Sequence, residues 1–297
     1  MKTRYLLRTL LLSFILCFSA HQLKAQSDVK VYRVSDAKSF LKALHSNSHI
    51  YIAKNSNLLL SDILEDENKR AELDLVLGEA YAYDSDTESF SQLFCAKVHD
   101  GVELVLNGIQ NITIEAEGES RARILVSPRY ANVLSFKNCV NVKLVNLEIG
   151  HTEEGYCEGG VLNLIDCDNI EVKNCELFGC GTIGVLAKNS KNFRCISSVI
   201  CHCSYGIISL LPGNRNFLFK DCHMHHNREF DLIEVRDNNR GIVFDNCRIE
   251  RNQGILFSLQ SIVTLKDCYV NNEGDFGDID RVKRIRGMFH FNPLCSE

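Results

Sequence analysis

The chain has 297 residues, with 33 Lys and Arg against 38 Asp and Glu, for a formal net charge of −5. Apolar residues at 45% and charged residues at 24% are ordinary for a globular protein and argue against a disordered chain, and the mild acidity argues against general nucleic-acid binding. The length allows one large domain or two small ones, and the 14 cysteines are the unusual part of the composition.

Residues 1–25 have the pattern of a secretory signal peptide. The segment begins with three basic residues, continues with an apolar run over residues 10–20 and ends at Ala25, a small residue suited to cleavage. The apolar run is too short to span a bilayer, which takes about 20 helical residues. We therefore expect a secreted or periplasmic protein of residues 26–297. Processing removes four positive and no negative side chains, which leaves a net charge of −9.

The next elements are a helix and an interrupted start of a repeat. Ser35–His45 (SDAKSFLKALH) predicts a short N-terminal capping helix, since Ser35 is at a cap position and the apolar residues have helical spacing. Residues 49–62 fit an early coil of the repeat. Residues 63–100 break the repeat, carry acidic stretches and are expected to form an insertion over the fold.

The region from about 101 to 275 repeats itself every 21 to 28 residues. Each unit holds three short alternating runs rich in Val, Ile, Leu and Phe, which are typical of strands. Three strands per unit at this period predict a parallel β-solenoid with coils about 4.8 Å apart. A polar turn column runs through six units: Asn146, Asn174, Ser197, Asp221, Asn246 and Asp267. An inward apolar column accompanies it: Leu177, Ile200, Met224, Ile249 and Val270.

The turn column has a physical reason. Asn tolerates left-handed backbone angles, and its amide can bond the Asn of the neighbouring coil, so a ladder of Asn would satisfy polar groups at a buried corner. The C-terminal residues 276–297 are expected to form a cap, in which Arg281–Arg286 (RVKRIR) makes a solvated helix or turn.

This pattern resembles the right-handed parallel β-helix proteins of the pectate-lyase-like superfold. The resemblance rests on the Asn146–Asp267 ladder, the inward aliphatic columns and the period. It implies an all-β fold whose members cleave, epimerise or only bind polysaccharides. The chain carries none of the family's catalytic sets, so the resemblance does not decide between these activities.

Thirteen cysteines remain after processing, and export favours disulfides. Parallel Cβ vectors on neighbouring coils stay further apart than the roughly 3.8 Å that a disulfide prefers. We therefore predict free buried thiols at Cys175, Cys222, Cys247 and Cys268.

A second use of cysteine would be metal binding. Cys201 should lie beneath His225, and His223 and His225 share an outward strand face, which makes a Cys–His–His set suited to zinc or copper. The alternative is that these residues only line a turn and decorate the surface. The sequence leaves Ca²⁺ and a soft transition metal open as cofactors and fixes neither.

Alternation also predicts the outer face of the first-strand sheet. Its middle column reads Ser135, Asn163, Leu186, Ser209, Glu234 and Ser258. Among these and their neighbours, only Glu234, Arg236 and Asp231 suggest acid–base chemistry or neutralisation of a substrate carboxylate. A flanking apolar column from Val133 to Leu256 is expected to be covered by the insertion or by another chain.

The turn after the third strand is the other candidate site, because long loops on one edge of a solenoid commonly carry binding residues. Its candidates from adjacent coils are His151, Tyr156, Glu158, His202, His226, Arg228 and Glu229. Trp is absent, but Tyr156, Tyr205 and Tyr269 could stack on a sugar. Two functions stay open: a non-catalytic protein that recognises a glycan, a surface or a partner, and a polysaccharide lyase or glycoside hydrolase.

Overall fold

The computed structural model describes residues 29–78, 91–152, 159–179 and 183–290. The expected signal peptide lies outside these residues. By its contacts the chain divides after Lys30, and the described residues from Val31 onward form one compact unit. None of the helices in the described ranges has the length and apolar character needed to cross a membrane.

The described residues hold three α-helices, one 3-10 helix and 26 strands. The helices are α1 (Ala37–Ala43), α2 (Ser61–Leu64) and α3 (Glu67–Ala71), and the 3-10 helix is Ile279–Arg281. The first strands are β1 (Lys30–Val34), β2 (Ser48–Ile52), β3 (Asn57–Leu59), β4 (Val76–Gly78), β5 (Leu93–Val98), β6 (Gly101–Asn107), β7 (Gln110–Ala116), β8 (Ala122–Val126), β9 (Leu134–Lys137), β10 (Val140–Val145), β11 (Leu147–His151), β12 (Leu162–Ile165) and β13 (Asp168–Lys173). The remaining strands are β14 (Glu176–Phe178), β15 (Ile183–Lys188), β16 (Lys191–Ile196), β17 (Val199–Cys201), β18 (Gly206–Leu210), β19 (Arg215–Lys220), β20 (His223–His225), β21 (Arg228–Val235), β22 (Arg240–Asp245), β23 (Arg248–Glu250), β24 (Gln253–Leu259), β25 (Val263–Asn271) and β26 (Val282–Phe289).

The strands stack into a parallel solenoid, as the repeat predicted. In the described residues, the first strands of successive coils form a nine-stranded sheet, here called sheet 1, and the second and third strands share a 17-stranded sheet. From β6 onward, the strands of sheet 1 pair in parallel with their equivalents in the next coil, and so do the strands of the second and third rows, as β13 does with β16 and β14 with β17. The all-β solenoid prediction is confirmed.

The core lies inside the coils. The predicted inward column, from Leu177 to Val270, is fully buried and in register. It arises because successive residues of a strand face opposite sides, so each coil contributes every second residue to the interior. Buried phenylalanines stack between coils beside this column, with ring centroids 5.1 Å apart for Phe193 and Phe217. Burial of each such ring contributes about 2–3 kcal/mol.

The turn column has the expected backbone and an unexpected exposure. All six of its residues have left-handed φ angles between 49° and 57°, and Asn174 Nδ2 donates to Asn146 Oδ1 at 3.0 Å. The expectation of a buried corner was wrong for most of this column: Asn146 is buried, but Asn174 and Asn246 are exposed. An outer ladder of the same kind runs along the start of the second strand of each coil, where Asn111, Asn141 and Asn169 each donate to the previous coil.

A buried ladder lies at the turn after the third strand, and a second one holds Asn214 and Asn239 at the turn after the first strand. Asn227, Asn252 and Asn272 are almost fully buried in the ladder after the third strand, at 0–1% exposure. Oδ1 of Asn227 accepts from the Cys203 N–H at 3.0 Å, and its Nδ2 donates to the Ile200 carbonyl at 3.1 Å and to Asn252 Oδ1 at 3.0 Å. These side chains satisfy backbone groups where the chain turns inside the core.

The N-terminal end is closed by α1, which contacts β2 and β3 and buries Phe40, Leu41 and Ala43. The helix is capped by Asp36, whose carboxylate accepts from the Ser39 N–H at 2.9 Å, and not by Ser35 as expected. The early coil over 49–62 is confirmed, since β2 pairs with β7 and β3 with β8.

Two flanking predictions were wrong in detail. The described part of 63–100 does not lie over the outer face, because β4 and β5 pair onto the N-terminal edge of sheet 1, and β5 runs antiparallel to β6. Of residues 281–286, only Arg281 belongs to a helix, the 3-10 helix Ile279–Arg281. The others are part of strand β26 (Val282–Phe289), which is parallel to β25. Both segments therefore continue sheets at the ends of the solenoid.

The cysteine prediction agrees with the structure. All cysteines in the described ranges are free and buried, including the four in the ladder. Burial raises the pKa of the Cys175 thiol to about 11. Such thiols act as small apolar side chains beneath the turns.

Candidate functional site

The outer face of sheet 1 has the predicted register. Ser135 pairs with Asn163, and the alignment continues through Leu186, Ser209 and Glu234 to Ser258. This column is polar along most of its length because the side chains point away from the core on every coil. It forms a strip parallel to the solenoid axis, in which Leu186 interrupts the polar side chains. Ser135, Asn163 and Ser209 are almost fully buried on this strip, at 1–5% exposure, whereas Glu234 and Ser258 are partly exposed.

Glu234 and Arg236 form one unit on this strip. Arg236 Nε donates to Glu234 Oε1 at 2.8 Å, and the Ser209 hydroxyl of the preceding coil donates to Glu234 Oε2. The Glu234 side chain is partly buried, whereas Arg236 is half exposed. The structure therefore joins Glu234 and Arg236, two of the three predicted catalytic residues, in one hydrogen-bonded unit, of which Asp231 is not a member.

The apolar flank from Val133 to Leu256 does not belong to this outer face. Val133, Ile207 and Leu256 are fully buried members of the main core cluster. A Cβ placed on Gly184, in the same column, would lie 2.4 Å from Ile200 Cγ2, an atom of the inward column. Two consecutive residues face the core where the chain turns into sheet 1, as Ile207 and Ile208 do, so the alternation is broken at this position. The expected cover by an insertion or another chain is therefore not needed here.

A buried carboxylate that sequence reasoning missed lies near the N-terminal end of the strip. Glu103 is only 1% exposed, and it accepts from the Asn132 N–H at 2.9 Å, from Asn132 Nδ2 at 3.2 Å and from the Ser135 hydroxyl. Asn163 Nδ2 extends the network to Ser135 Oγ at 3.2 Å. The available signal was a lone acid between apolar residues on a predicted strand, because such a residue needs partners when buried.

The turn after the third strand gathers histidines from adjacent coils. His202 and His226 occupy equivalent left-handed positions, with φ of 57° and 55°, and their rings stack at 5.4 Å and an interplanar angle of 4°. His225, the last residue of β20, places its Nδ1 2.7 Å from His226 Nδ1. Burial, followed by the charges of the neighbouring histidines, lowers the pKa of His225 to about 4.

His151 differs from this group. It was expected among the open binding residues, but its side chain is buried and its Nε2 bonds the Ala131 carbonyl at 2.8 Å. Burial lowers the pKa of His151, so the imidazole is neutral in the fold. Tyr156 and Glu158, predicted for the same loop, lie outside the described residues.

The residues after His226 form an irregular rim. Arg228 and Glu229, two of the predicted binding residues, are exposed. Glu229 has a φ of 91° where β21 carries one extra residue relative to β24. This bulge turns Phe230 outward. Phe230 is 51% exposed and stacks on Tyr205 of the preceding coil, with centroids 4.5 Å apart and planes within 11°. Sequence reasoning named Tyr205 and missed Phe230.

The predicted Cys–His–His set lies in register but does not converge. Cys201 lies beneath His225, as expected. Its thiol is buried and points toward Glu176 Oε1 at 3.9 Å, and burial together with the Glu176 charge raises the pKa of Cys201 to about 12. His223 Nε2 bonds Glu250 Oε1 at 3.1 Å.

Glu250 is also held from the other side. The Arg248 guanidinium binds both carboxylate oxygens of Glu250, at 2.5 and 2.6 Å, and holds its pKa below the usual range. As the side chains stand, no group of three or more His, Cys, Asp or Glu within the described ranges is arranged to hold a metal ion.

Comparison with known proteins agrees with the architecture. A family model for the "right handed beta helix region" matches residues 132–279. No curated protein matches the sequence. Among solved structures, a pectate lyase from Bacillus sp. N165 in complex with trigalacturonate is similar with a TM-score of 0.50 and 11% identity, over 83% of this chain and 70% of that one.

A pectate lyase from Paenibacillus sp. 0602 is similar with a TM-score of 0.48 and 10% identity, over 90% of this chain and 84% of that one. Identities this low concern the fold and not the activity. Together with the parallel coils and their in-register columns, the family match shows that this chain is a right-handed parallel β-helix protein with the pectate-lyase-like fold.

Proposed function

We propose that this protein is exported and recognises a glycan, without cleaving it, on the outer face of sheet 1. The observation that carries the proposal is the Tyr205–Phe230 stack, in which Phe230 is half exposed, at the start of β21. The same strand bears Glu234 and ends just before Arg236. Aromatic rings offer a flat apolar surface to a sugar face, and flanking polar side chains fix its hydroxyl groups.

The arrangement of carboxylates supports binding over hydrolysis. A glycoside hydrolase usually places two carboxyl groups about 5–9.5 Å apart across the scissile bond. Glu103 bonds Ser135 near one end of the strip, and Glu234 lies four coils further along it. At the normal strand spacing this is a separation of about 19 Å. Glu234 is also engaged by Arg236 and Ser209.

A second candidate is a polysaccharide lyase, and the Glu234–Arg236 pair is the observation that favours it. Arg236 is half exposed and could neutralise a uronate carboxylate, and His202 or His226 could accept a proton. This would require the ligand to release Glu234 from Arg236 and to reach the histidine turn from the same strip.

The test is a panel of neutral and acidic polysaccharides, with binding measured by affinity electrophoresis and calorimetry. We expect binding to at least one glycan, and a five- to tenfold loss of affinity in Phe230→Ala, equivalent to about 1–1.4 kcal/mol. Ile262→Ala is the matched control, because Ile262 is exposed and lies outside the strip. Equal affinities of these two variants would contradict the proposal.

The same panel decides between the two candidates. Release of unsaturated products or reducing ends that disappears in Glu234→Gln and Arg236→Ala would establish the enzyme and reject the non-catalytic role. Export is tested separately by mass spectrometry of the mature protein, which should begin at Gln26.

A further inference from the structure

Four imidazoles meet where the third strand ends on two adjacent coils. His202 follows β17, His223 and His225 belong to β20, and His226 follows β20 directly. The ring centroids of His225 and His226 are 4.9 Å apart, those of His202 and His226 5.4 Å, and those of His202 and His225 6.0 Å. The glycan proposal uses none of the rings of His202, His225 and His226 for binding.

The backbone explains this concentration. Left-handed turns at His202 and His226 repeat at the same place in successive coils, so both rings leave the solenoid in the same direction. His225 precedes the second turn and faces outward from the strand. The three side chains therefore share one edge of the fold, and His202 and His226 are exposed there.

These separations fit a common metal ligand sphere. Zn–N bonds are about 2.0–2.1 Å, and an imidazole centroid lies about 1.1 Å beyond the nitrogen, so tetrahedral coordination places ring centroids about 5 Å apart. All three observed separations are within about 1 Å of that value. The two nearest ligand atoms, Nδ1 of His225 and His226, stand 2.7 Å apart and need to open only to the tetrahedral edge of about 3.3 Å.

We propose that His202, His225 and His226 bind one divalent transition-metal ion that prefers imidazole ligands, such as Zn²⁺. The rings of His202 and His226 are parallel as described, so their nitrogens do not yet converge. Binding requires His202 to rotate about its Cα–Cβ and Cβ–Cγ bonds, which its exposure permits. A solvent molecule takes the fourth position.

The neighbouring candidates are excluded by their own contacts. His223 is committed to Glu250, which Arg248 holds in turn. The buried Cys201 thiol lies against Glu176. The ligand set therefore differs from the Cys201–His223–His225 set expected from the sequence, and only His225 is common to both.

The test uses the mature chain without a histidine tag, stripped with a chelator and titrated with Zn²⁺ alone by calorimetry. We expect one site per chain and at least a tenfold weaker affinity in His202→Asn and His226→Asn. Asn is chosen because it accepts the left-handed backbone and removes the imidazole. His225→Gln should have the same effect. His49→Ala is the matched control, since His49 pairs with Glu115 on β7.

Further variants decide the ligand set. His223→Ala and Cys201→Ser should retain the wild-type affinity. Loss of affinity in these two but not in His202→Asn and His226→Asn would assign the metal to the Cys201–His223–His225 set and overturn the proposal. The proposal would also be overturned if the wild type bound Zn²⁺ no more tightly than the His202→Asn, His225→Gln and His226→Asn variants. Co²⁺ in place of Zn²⁺ should give the visible absorption of tetrahedral coordination in the wild type, and its absence would also overturn the proposal. Far-ultraviolet circular dichroism verifies that each variant is folded.

Discussion

Replacement of Asn227 by Ala should destabilise the solenoid more than any change in the exposed ladders. The side chain of Asn227 is fully buried, and it satisfies the Cys203 N–H and the Ile200 carbonyl. Asn227→Ala leaves both backbone groups without these partners in the core. Each orphaned buried group costs about 1–3 kcal/mol, so we expect a loss of about 4 kcal/mol in the free energy of unfolding.

The matched control is Asn246→Gly in the exposed turn column. Asn246 makes one side-chain hydrogen bond, from Nδ2 to Asp221 Oδ1 at 2.7 Å, and its φ of 53° suits glycine. Water replaces this bond when the side chain is removed, so the expected loss is under about 1 kcal/mol.

Equilibrium unfolding in urea measures both variants, followed by circular dichroism and tyrosine fluorescence. Coincident curves from the two probes permit a two-state treatment of the solenoid. A loss of about 4 kcal/mol is a large part of the 5–15 kcal/mol typical of a whole domain. Similar losses in Asn227→Ala and Asn246→Gly would refute the assignment of the buried ladder as the structural one.

Three other predictions concern the thiols, pH and the corner of sheet 1. Thiol titration of the denatured, unreduced protein should find at least the ten free cysteines of the described ranges, and a count near zero would contradict the fold's lack of cross-links there. Because the pKa of His225 falls from 6.5 to about 4 on folding, the unfolded chain binds more protons in acid, so stability present at neutral pH is lost between about pH 6.5 and 4. Solvent screening reduces this loss to about 1 kcal/mol, and His225→Gln should show a smaller decrease in urea midpoint over that range. Gly184→Ala should lower the melting temperature, since its Cβ would stand 2.4 Å from Ile200 Cγ2, at a cost of about 1–3 kcal/mol, and an unchanged midpoint would show that the corner is loosely packed.

Strand register could be predicted from the sequence because alternation and the coil period act together. A one-residue error in a strand would turn its whole apolar set outward, so the inward column determines the register. The residues between its members must then lie on the outer face. This is why Ser209 and Glu234 were placed on one strip correctly.

Corners could not be predicted in the same way. Strict alternation assigned Val133 and Ile207 outward, but at this corner two consecutive residues of each coil face the core, Val133 with Leu134 and Ile207 with Ile208. The two kinds of Asn ladder were also confused. Both suit a turn, and only the packing of the third corner buries Asn227 and Asn252. Their shared place at the end of the aligned repeats was the available signal.

Of the candidate site, residue identity was predictable and contact geometry was not. Glu234 and Arg236 meet because two positions on one strand face are always close, whereas His151 reaches a carbonyl far along the chain and becomes buried. Phe230 is exposed by a bulge, and a single extra residue leaves no mark on the repeat. The histidines of the third turn were recognised, but which of them lie beside one another required the ring positions.

The outer Asn ladder has a direction. The amide nitrogens of Asn111, Asn141 and Asn169 each donate to the coil before, and the oxygens of Asn111 and Asn141 each accept from the coil after. The amide dipoles are therefore aligned head to tail, each comparable to the roughly 3.5 D of a peptide unit. This row of amides therefore has a dipole along the solenoid axis, as a helix does, with its positive pole toward the N-terminal coils. A charge placed at either end of the row would interact with the summed dipole of its members.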